Sequence, residues 1–191
     1  TDTTHFNDYE ASKAAAENRI FEICREAGIH CNIIRPAIVY GDSQSGATFR
    51  FNAFYFPIRI IDYLTGIFKK DIHNKTGQNA ERTGISMVPV DYFTKTCMSI
   101  IEKSRTSPEE PAIYQISSQT RSSMQNIITY VEEYFHLSGI EEVSPELYNT
   151  MQHNPLEKLF YRYINWYEPY MYDYRIFETT NTEQLLGRNF G

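Results

Sequence analysis

The feature that most constrains this chain is a recurring order in which a short apolar run follows or precedes a segment with helical spacing. The first helix is predicted to start at Asn7, whose side chain can cap it, with Glu10 three residues on as the reciprocal partner. Ala11, Ala14, Ala15 and Ala16 favour the helix, and Gly28 supplies its stop. Ala16, Ile20, Ile23, Cys24 and Ala27 fall at helical spacing and predict one buried stripe, which Tyr9 and Lys13 continue toward the N-terminal end. The pair is therefore expected to face inward. The apolar run Cys31 to Ile34 comes next, broken by Arg35-Pro36 and resumed by Ile38-Val39-Tyr40. A continuous apolar run straight after a helix predicts a buried parallel strand.

The same order returns downstream. Ile85 to Val90 is a second strand candidate, and Asp91 is placed to cap a helix over Tyr92 to Lys103. Ser104 to Pro111 reads as a turn, Ile113 to Ser117 alternates as a strand, and Ser122 or Ser123 opens a helix that runs to about His136 or Leu137. Between these, Asp42 to Thr48 is a Ser- and Gly-containing loop, Phe49 to Phe68 is apolar and aromatic with Pro57 expected to interrupt its helix, and Asp71 to Thr83 is polar and loop-like. The rest, Glu141 to Gly191, is read as mostly helix and loop. Strands alternating with helices indicate an α/β layer architecture.

Composition removes several function classes. The 191 residues are 41% hydrophobic and 22% charged, ordinary for a globular domain with a real core. A net charge of -6 argues against a protein that tracks nucleic-acid phosphates. No run approaches the roughly 18 apolar residues of a membrane span. The polar start, Thr1 to Asp8, has no signal-peptide pattern. Cys24, Cys31 and Cys97 are odd in number and scattered, so neither a disulfide framework nor a zinc site is suggested, and a cytoplasmic location is expected. Glu133 and His136 have Glu-x-x-His spacing without a second such pair, so no metal site is expected.

Tyr9 and Lys13 carry the chemistry. Four residues apart on a helix, they share a face. An ammonium beside a phenol favours the phenolate, and such a tyrosine can exchange a proton with a carbonyl or alcohol oxygen while hydride moves at the carbon. By itself a Tyr-x-x-x-Lys match is weak, because a tyrosine-rich chain produces one readily by chance.

Its context is more specific. Tyr9-Glu10-Ala11-Ser12-Lys13 resembles the active-site helix of short-chain dehydrogenases/reductases. Asn32-Ile33-Ile34-Arg35-Pro36-Ala37-Ile38-Val39-Tyr40-Gly41 resembles the next strand of the extended branch of that family, with its Arg-Pro and Tyr-Gly signature. Met87-Val88-Pro89-Val90-Asp91-Tyr92 and Ile113-Tyr114-Gln115-Ile116-Ser117 resemble later junctions of the same branch, and Phe177-Glu178-Thr179-Thr180-Asn181 resembles the C-terminal segment of its acyl-thioester and fatty-acyl reductase (male-sterility-like) subgroup. The resemblance runs over nearly the whole chain and is weakest from Glu141 to Tyr174.

The resemblance implies a fold and a set of roles. The fold would be a partial Rossmann-type parallel sheet with helices, plus a small, mostly helical C-terminal substrate-binding lobe. Residues 1–137 would belong to the NAD(P)-binding domain with interleaved lobe segments, and 138–191 to the lobe. Tyr9 would be the proton donor or acceptor, and Lys13 would support it and hold the nicotinamide ribose. Pro36 and Ile38 would line the nicotinamide pocket, although strand packing explains them equally well. Arg35 would sit beside that pocket, as a substrate contact or in a structural ion pair. Ser43, within the entrance loop Gly41 to Gly46, and Arg82 would face the substrate. Asp91 is assigned to helix capping alone.

The chain also departs from the family pattern. No glycine-rich turn follows a strand in the way a dinucleotide pyrophosphate requires, and only eight residues precede Tyr9, whereas the family places a catalytic Ser or Thr well upstream. The chain is thus expected to be the C-terminal half of an enzyme, with NADP or NAD as cofactor, and on its own to bind dinucleotide weakly or not at all and to have negligible turnover. The expected substrate is a small molecule, an aldehyde or a carrier-bound acyl thioester among the candidates. A nucleotide-sugar epimerase or dehydratase of the same superfamily and a non-catalytic binding module are the alternatives. The resemblance also implies a homodimer built on the helix that carries Tyr9 and Lys13.

Overall fold

A computed structural model describes residues 5, 7–50, 54–67, 84–105, 112–118, 120, 122–138, 140, 145–164, 170 and 175–187. Its elements run α1 (Asp8–Ala27), β1 (Asn32–Pro36), β2 (Ile38–Tyr40), α2 (Tyr55–Ile67), β3 (Gly84–Ile85), β4 (Met87–Pro89), α3 (Val90–Ser104), β5 (Ala112–Ile116), β6 (Ser122–Ser123), α4 (Met124–Phe135), α5 (Pro145–Thr150), α6 (Pro155–Ile164) and α7 (Thr180–Leu186). They fall into two compact units. The first takes in residues 1–39, 88–117 and 177–191, and the second 40–87 and 118–176.

The first unit is built on two parallel strands. β1 pairs with β5 in the register Asn32 to Ala112 through Pro36 to Ile116. Pro36 has no N–H to donate, and it sits at the end of the strand, where the ladder tolerates it. The next residue closes the pairing, because the Ala37 N–H donates to the Ile116 carbonyl at 2.7 Å. The break expected at Arg35-Pro36 therefore falls one residue later, at Ala37. The core gathers Ala37, Val88, Ile100, Tyr114 and Ile116, with Ile34, Tyr92, Phe93, Cys97, Leu185 and Leu186 packed against it. Thr96, Ile100 and Ser104 form the inner face of α3 at four-residue spacing.

The other edge of β5 is covered by α7. The Asn181 carboxamide donates to the Ile113 carbonyl at 2.9 Å and the Thr182 hydroxyl to the Gln115 carbonyl at 2.8 Å. Carbonyls two residues apart on a strand point to the same side, so two adjacent helix side chains satisfy an edge that would otherwise be open to a further strand.

The second unit holds α2, α4, α5, α6 and the antiparallel pair β3–β6, in which Gly84 opposes Ser123. Ser123 caps α4 by accepting from the Asn126 N–H at 3.2 Å, and Met124, Ile128 and Val131 make its buried stripe. A full capping box starts α6. The Asn154 side chain accepts from the Glu157 N–H at 2.9 Å, the Glu157 carboxylate accepts from the Asn154 N–H at 3.0 Å, and Pro155 occupies the first helical position.

Three sequence expectations need correction. Pro57 does not interrupt α2, because it lies in the first turn, where backbone N–H groups have no intrahelical acceptor to lose. Asp91 does not cap α3. The cap position is Pro89, and Asp91 stands inside the first turn, where a carboxylate still favours the helix dipole. The buried stripe of α1 is also not the expected one, as shown below. The expected loop Asp71 to Thr83, and most of the turn Ser104 to Pro111, lie outside the described residues.

Candidate active site

Local sequence sets up α1 as expected. The Asn7 side chain accepts from the Glu10 N–H at 3.0 Å, and Asp8 and Glu10 place acid in the first turn. Gly28 ends the helix at φ 65°, ψ 29°, a left-handed conformation that costs glycine nothing. The Ile29 N–H then closes on the Cys24 carbonyl at 2.8 Å, and the chain enters β1 within a few residues.

Tyr9 and Lys13 stand side by side on this helix. The Lys13 ammonium lies 5.6 Å from the centre of the Tyr9 ring, within cation–π range. They do not face inward: Tyr9 is 66% exposed, and no residue of α1 is fully buried. Ile20 and Ile23, expected in the core, are each 46% exposed. The half-buried positions are Glu10, Ala14, Glu17, Phe21 and Cys24, a stripe one residue round the helix from the expected one. A charged pair that the apolar spacing could not reveal lies on this half-buried side. Arg35 of β1 meets Glu17 of α1 side-on. Its Nε donates to both carboxylate oxygens at 3.0 Å, and its Nη2 also donates to Oε2. The pair joins the half-buried side of the helix to the strand.

The other expected site residues are spread along the chain. Pro36 is exposed at the end of β1, and Ile38 is half-buried in β2, within the first unit. Ser43 belongs to the second unit, in a tight loop built on Asp42. One Asp42 carboxylate oxygen accepts from the N–H groups of Gln44 at 3.1 Å and Ser45 at 2.8 Å, and from the Ser45 hydroxyl at 2.7 Å. The loop closes on Gly41, whose N–H donates to the Tyr55 hydroxyl at 2.9 Å. A side chain at Gly41 would meet the Ala47 carbonyl oxygen at 2.7 Å, so glycine is required there. Arg82 lies outside the described residues.

Burial acts on Cys31, Cys97 and Tyr92 among the described residues of the first unit. It pushes the Cys31 thiol up, helped by a hydrogen bond with Cys24, and it pushes the Cys97 thiol up unaided. Burial also raises Tyr92, against a smaller opposing effect of its hydrogen bond with Thr96. Among the described residues, no group of His, Cys, Asp and Glu is placed to hold a metal ion, and no helix is long and apolar enough to cross a membrane. Sequence reasoning missed Glu17 altogether. The available signal was a carboxylate set among small and apolar residues of a helix, with an arginine inside the apolar run that follows.

Solved structures share this fold at low identity. The chain matches UDP-glucose 4-epimerase with a TM-score of 0.55 at 14% identity, over 100% of this chain and 56% of that one. It matches a conserved protein of unknown function from Silicibacter pomeroyi with a TM-score of 0.53 at 14% identity, over 98% and 51% respectively. UDP-glucuronic acid 4-epimerase from Bacillus cereus, solved in complex with NAD, gives 0.52 at 17% identity, over 86% and 54%. The chain thus spans about half the length of these structures. No curated protein sequence matches it. The family model described as male sterility protein, an NAD-binding domain, matches residues 1–97, which include Tyr9, Lys13, Arg35, Pro36 and Ile38. With an α/β fold of parallel strands and helices, and with just over half its residues matched, the chain belongs to the male sterility protein family of the extended short-chain dehydrogenases/reductases.

Proposed function

We propose that this chain carries the proton-transfer half of the active site of an NAD(P)H-dependent oxidoreductase that reduces an acyl thioester or a related carbonyl. The observation that carries the reading is the Tyr9–Lys13 pair, with its ammonium 5.6 Å from the phenol ring on an accessible face of α1. Such a pair suits one end of a nicotinamide cofactor. The Lys13 ammonium offers three donors to ribose hydroxyls, and the phenol is free of the core and open to a substrate oxygen. Pro36, exposed at the end of β1, and Ile38 give the apolar backbone against which a nicotinamide ring would lie. When bound, the cofactor supplies the hydride. Tyr9 gives its proton to the oxygen of the reacting carbonyl, and Lys13 stabilises the phenolate left behind.

The acyl substrate is argued from one sequence segment and one helix. The Phe177 to Asn181 segment resembles that of thioester and fatty-acyl reductases, and α2 is apolar along most of its length, as a surface for an acyl chain would be. A cytoplasmic location, a carrier-bound substrate and a homodimer belong to the same proposal.

Tyr9→Phe in the full gene product tests it. The substitution should lower kcat by about 10²–10⁴-fold with acyl-thioester or aldehyde substrates while leaving dinucleotide affinity within a few fold. Unchanged turnover would sink the reading. Presenting UDP-glucose to the same preparation separates the alternative: conversion to the 4-epimer with no net use of NAD(P)H would make the protein an epimerase.

A further inference from the structure

We propose that Glu17 and Arg35 are positioning residues, whose ion pair sets the rotation of α1 about its own axis and so fixes where Tyr9 and Lys13 stand beside the end of β1. The inference rests on the Tyr9–Lys13 reading and adds to it a residue, Glu17, that touches neither substrate nor cofactor.

The geometry is a matter of helix angles. Four residues advance a helix by one turn plus about 40°. Lys13 therefore stands about 40° round the helix from Glu17, and Tyr9 about 80°. Clamping Glu17 at a known direction fixes the direction of the other two. Among the other half-buried residues of α1, Ala14 offers only a methyl, and the Cys24 thiol is hydrogen-bonded with Cys31 near the far end of the helix. The Glu17–Arg35 contact is directional, because the guanidinium presents Nε and Nη2 as a planar fork to one carboxylate. The Glu17 side chain is 21% exposed and the Arg35 side chain 47%. Arg35 is followed directly by Pro36, so the fork is anchored to the strand end where the nicotinamide pocket is proposed.

A clamp of this kind has a kinetic signature. A misplacement on the order of 1 Å costs about 10²-fold in rate, without a matching loss of substrate binding. The experiment uses the full gene product with Glu17→Gln, Arg35→Lys, the exchanged pair Glu17→Arg with Arg35→Glu, and Tyr9→Phe as control. Glu17→Gln should lower kcat about 10–100-fold with KM within about threefold. Arg35→Lys, which keeps the charge and loses the fork, should also lower kcat. The exchanged pair should recover at least about tenfold of the lost kcat. On the 191-residue chain, Glu17→Gln should shift the backbone amide resonances of residues 8–14 while moving Tm by less than about 4 °C.

Two results would overturn the inference. One is a Glu17→Gln enzyme with full kcat per folded molecule, whatever its Tm. The other is an exchanged pair no better than the single variants. If Tyr9→Phe alone keeps full turnover, the Tyr9–Lys13 reading fails instead. If Tyr9→Phe is inactive and Glu17→Gln is not impaired, only the positioning role falls.

Discussion

At the scale of single residues, the first unit depends on a few polar groups in exact places. Thr182 is the clearest. It is 0% exposed, and its hydroxyl satisfies the Gln115 carbonyl on the outer edge of β5. Valine has nearly the same shape and no donor. Thr182→Val should therefore cost about 1–3 kcal/mol, the penalty of leaving a buried carbonyl without a partner, and urea denaturation will measure it. An unchanged midpoint would mean that water reaches Gln115. Nothing in the sequence around Thr182 separates it from Thr179 or Thr180. Its role comes from a strand 67 residues earlier in the chain.

Among the elements, α1 shows how far local pattern carries. Its start, its end and its sharing of one face by Tyr9 and Lys13 follow from Asn7, Gly28 and the four-residue spacing. Its orientation does not. Ile20 and Ile23 are the more apolar choice for the core, yet they stand outward while Phe21 is half-buried. Opposite stability effects in the 191-residue chain should follow. Ile20→Glu should change stability by less than about 0.5 kcal/mol, as for an exposed site, and Phe21→Ala should cost about 1–3 kcal/mol. Thermal melts of the two variants decide the matter: a larger loss at Ile20 would return the helix to the orientation expected from its apolar spacing. The helix α2 teaches the reverse lesson. The identity of Pro57 alone predicts an interruption, and its position within the first turn removes the penalty.

For the molecule as a whole, alkaline stability should respond to groups of the first unit that burial shifts. Cys31, Cys97 and Tyr92 all have raised values in the folded chain. For such a group the unfolded chain loses its proton first. The contribution to stability is thus intact below the unfolded value and lost as pH rises through the folded one. For the thiols that loss should begin above about pH 8.5, and for Tyr92 above about pH 10. Denaturant midpoints across this range should fall first with the thiols. Cys97→Ala should flatten the first part of the decline, and a Cys97→Ala profile parallel to that of the unaltered chain would refute the assignment.

Much of the fold was legible from the chain alone. Apolar runs announced β1, β2 and β5, and Gly28 and the Ser122-Ser123 pair marked helix ends, because these signals act between residues close in sequence; the single strand expected over Ile85 to Val90 is instead split into β3 and β4, with Val90 opening α3. The motif Tyr9 to Lys13 and the Arg35-Pro36 run pointed to the family for the same reason, since each is a contiguous string. What only the tertiary structure decided was which side each element turns inward. Helical spacing reports that a face is apolar, and it is silent on what lies opposite. For α1, Glu17 on the half-buried face meets Arg35 of β1, and this carboxylate–guanidinium contact has a direction that apolar burial lacks.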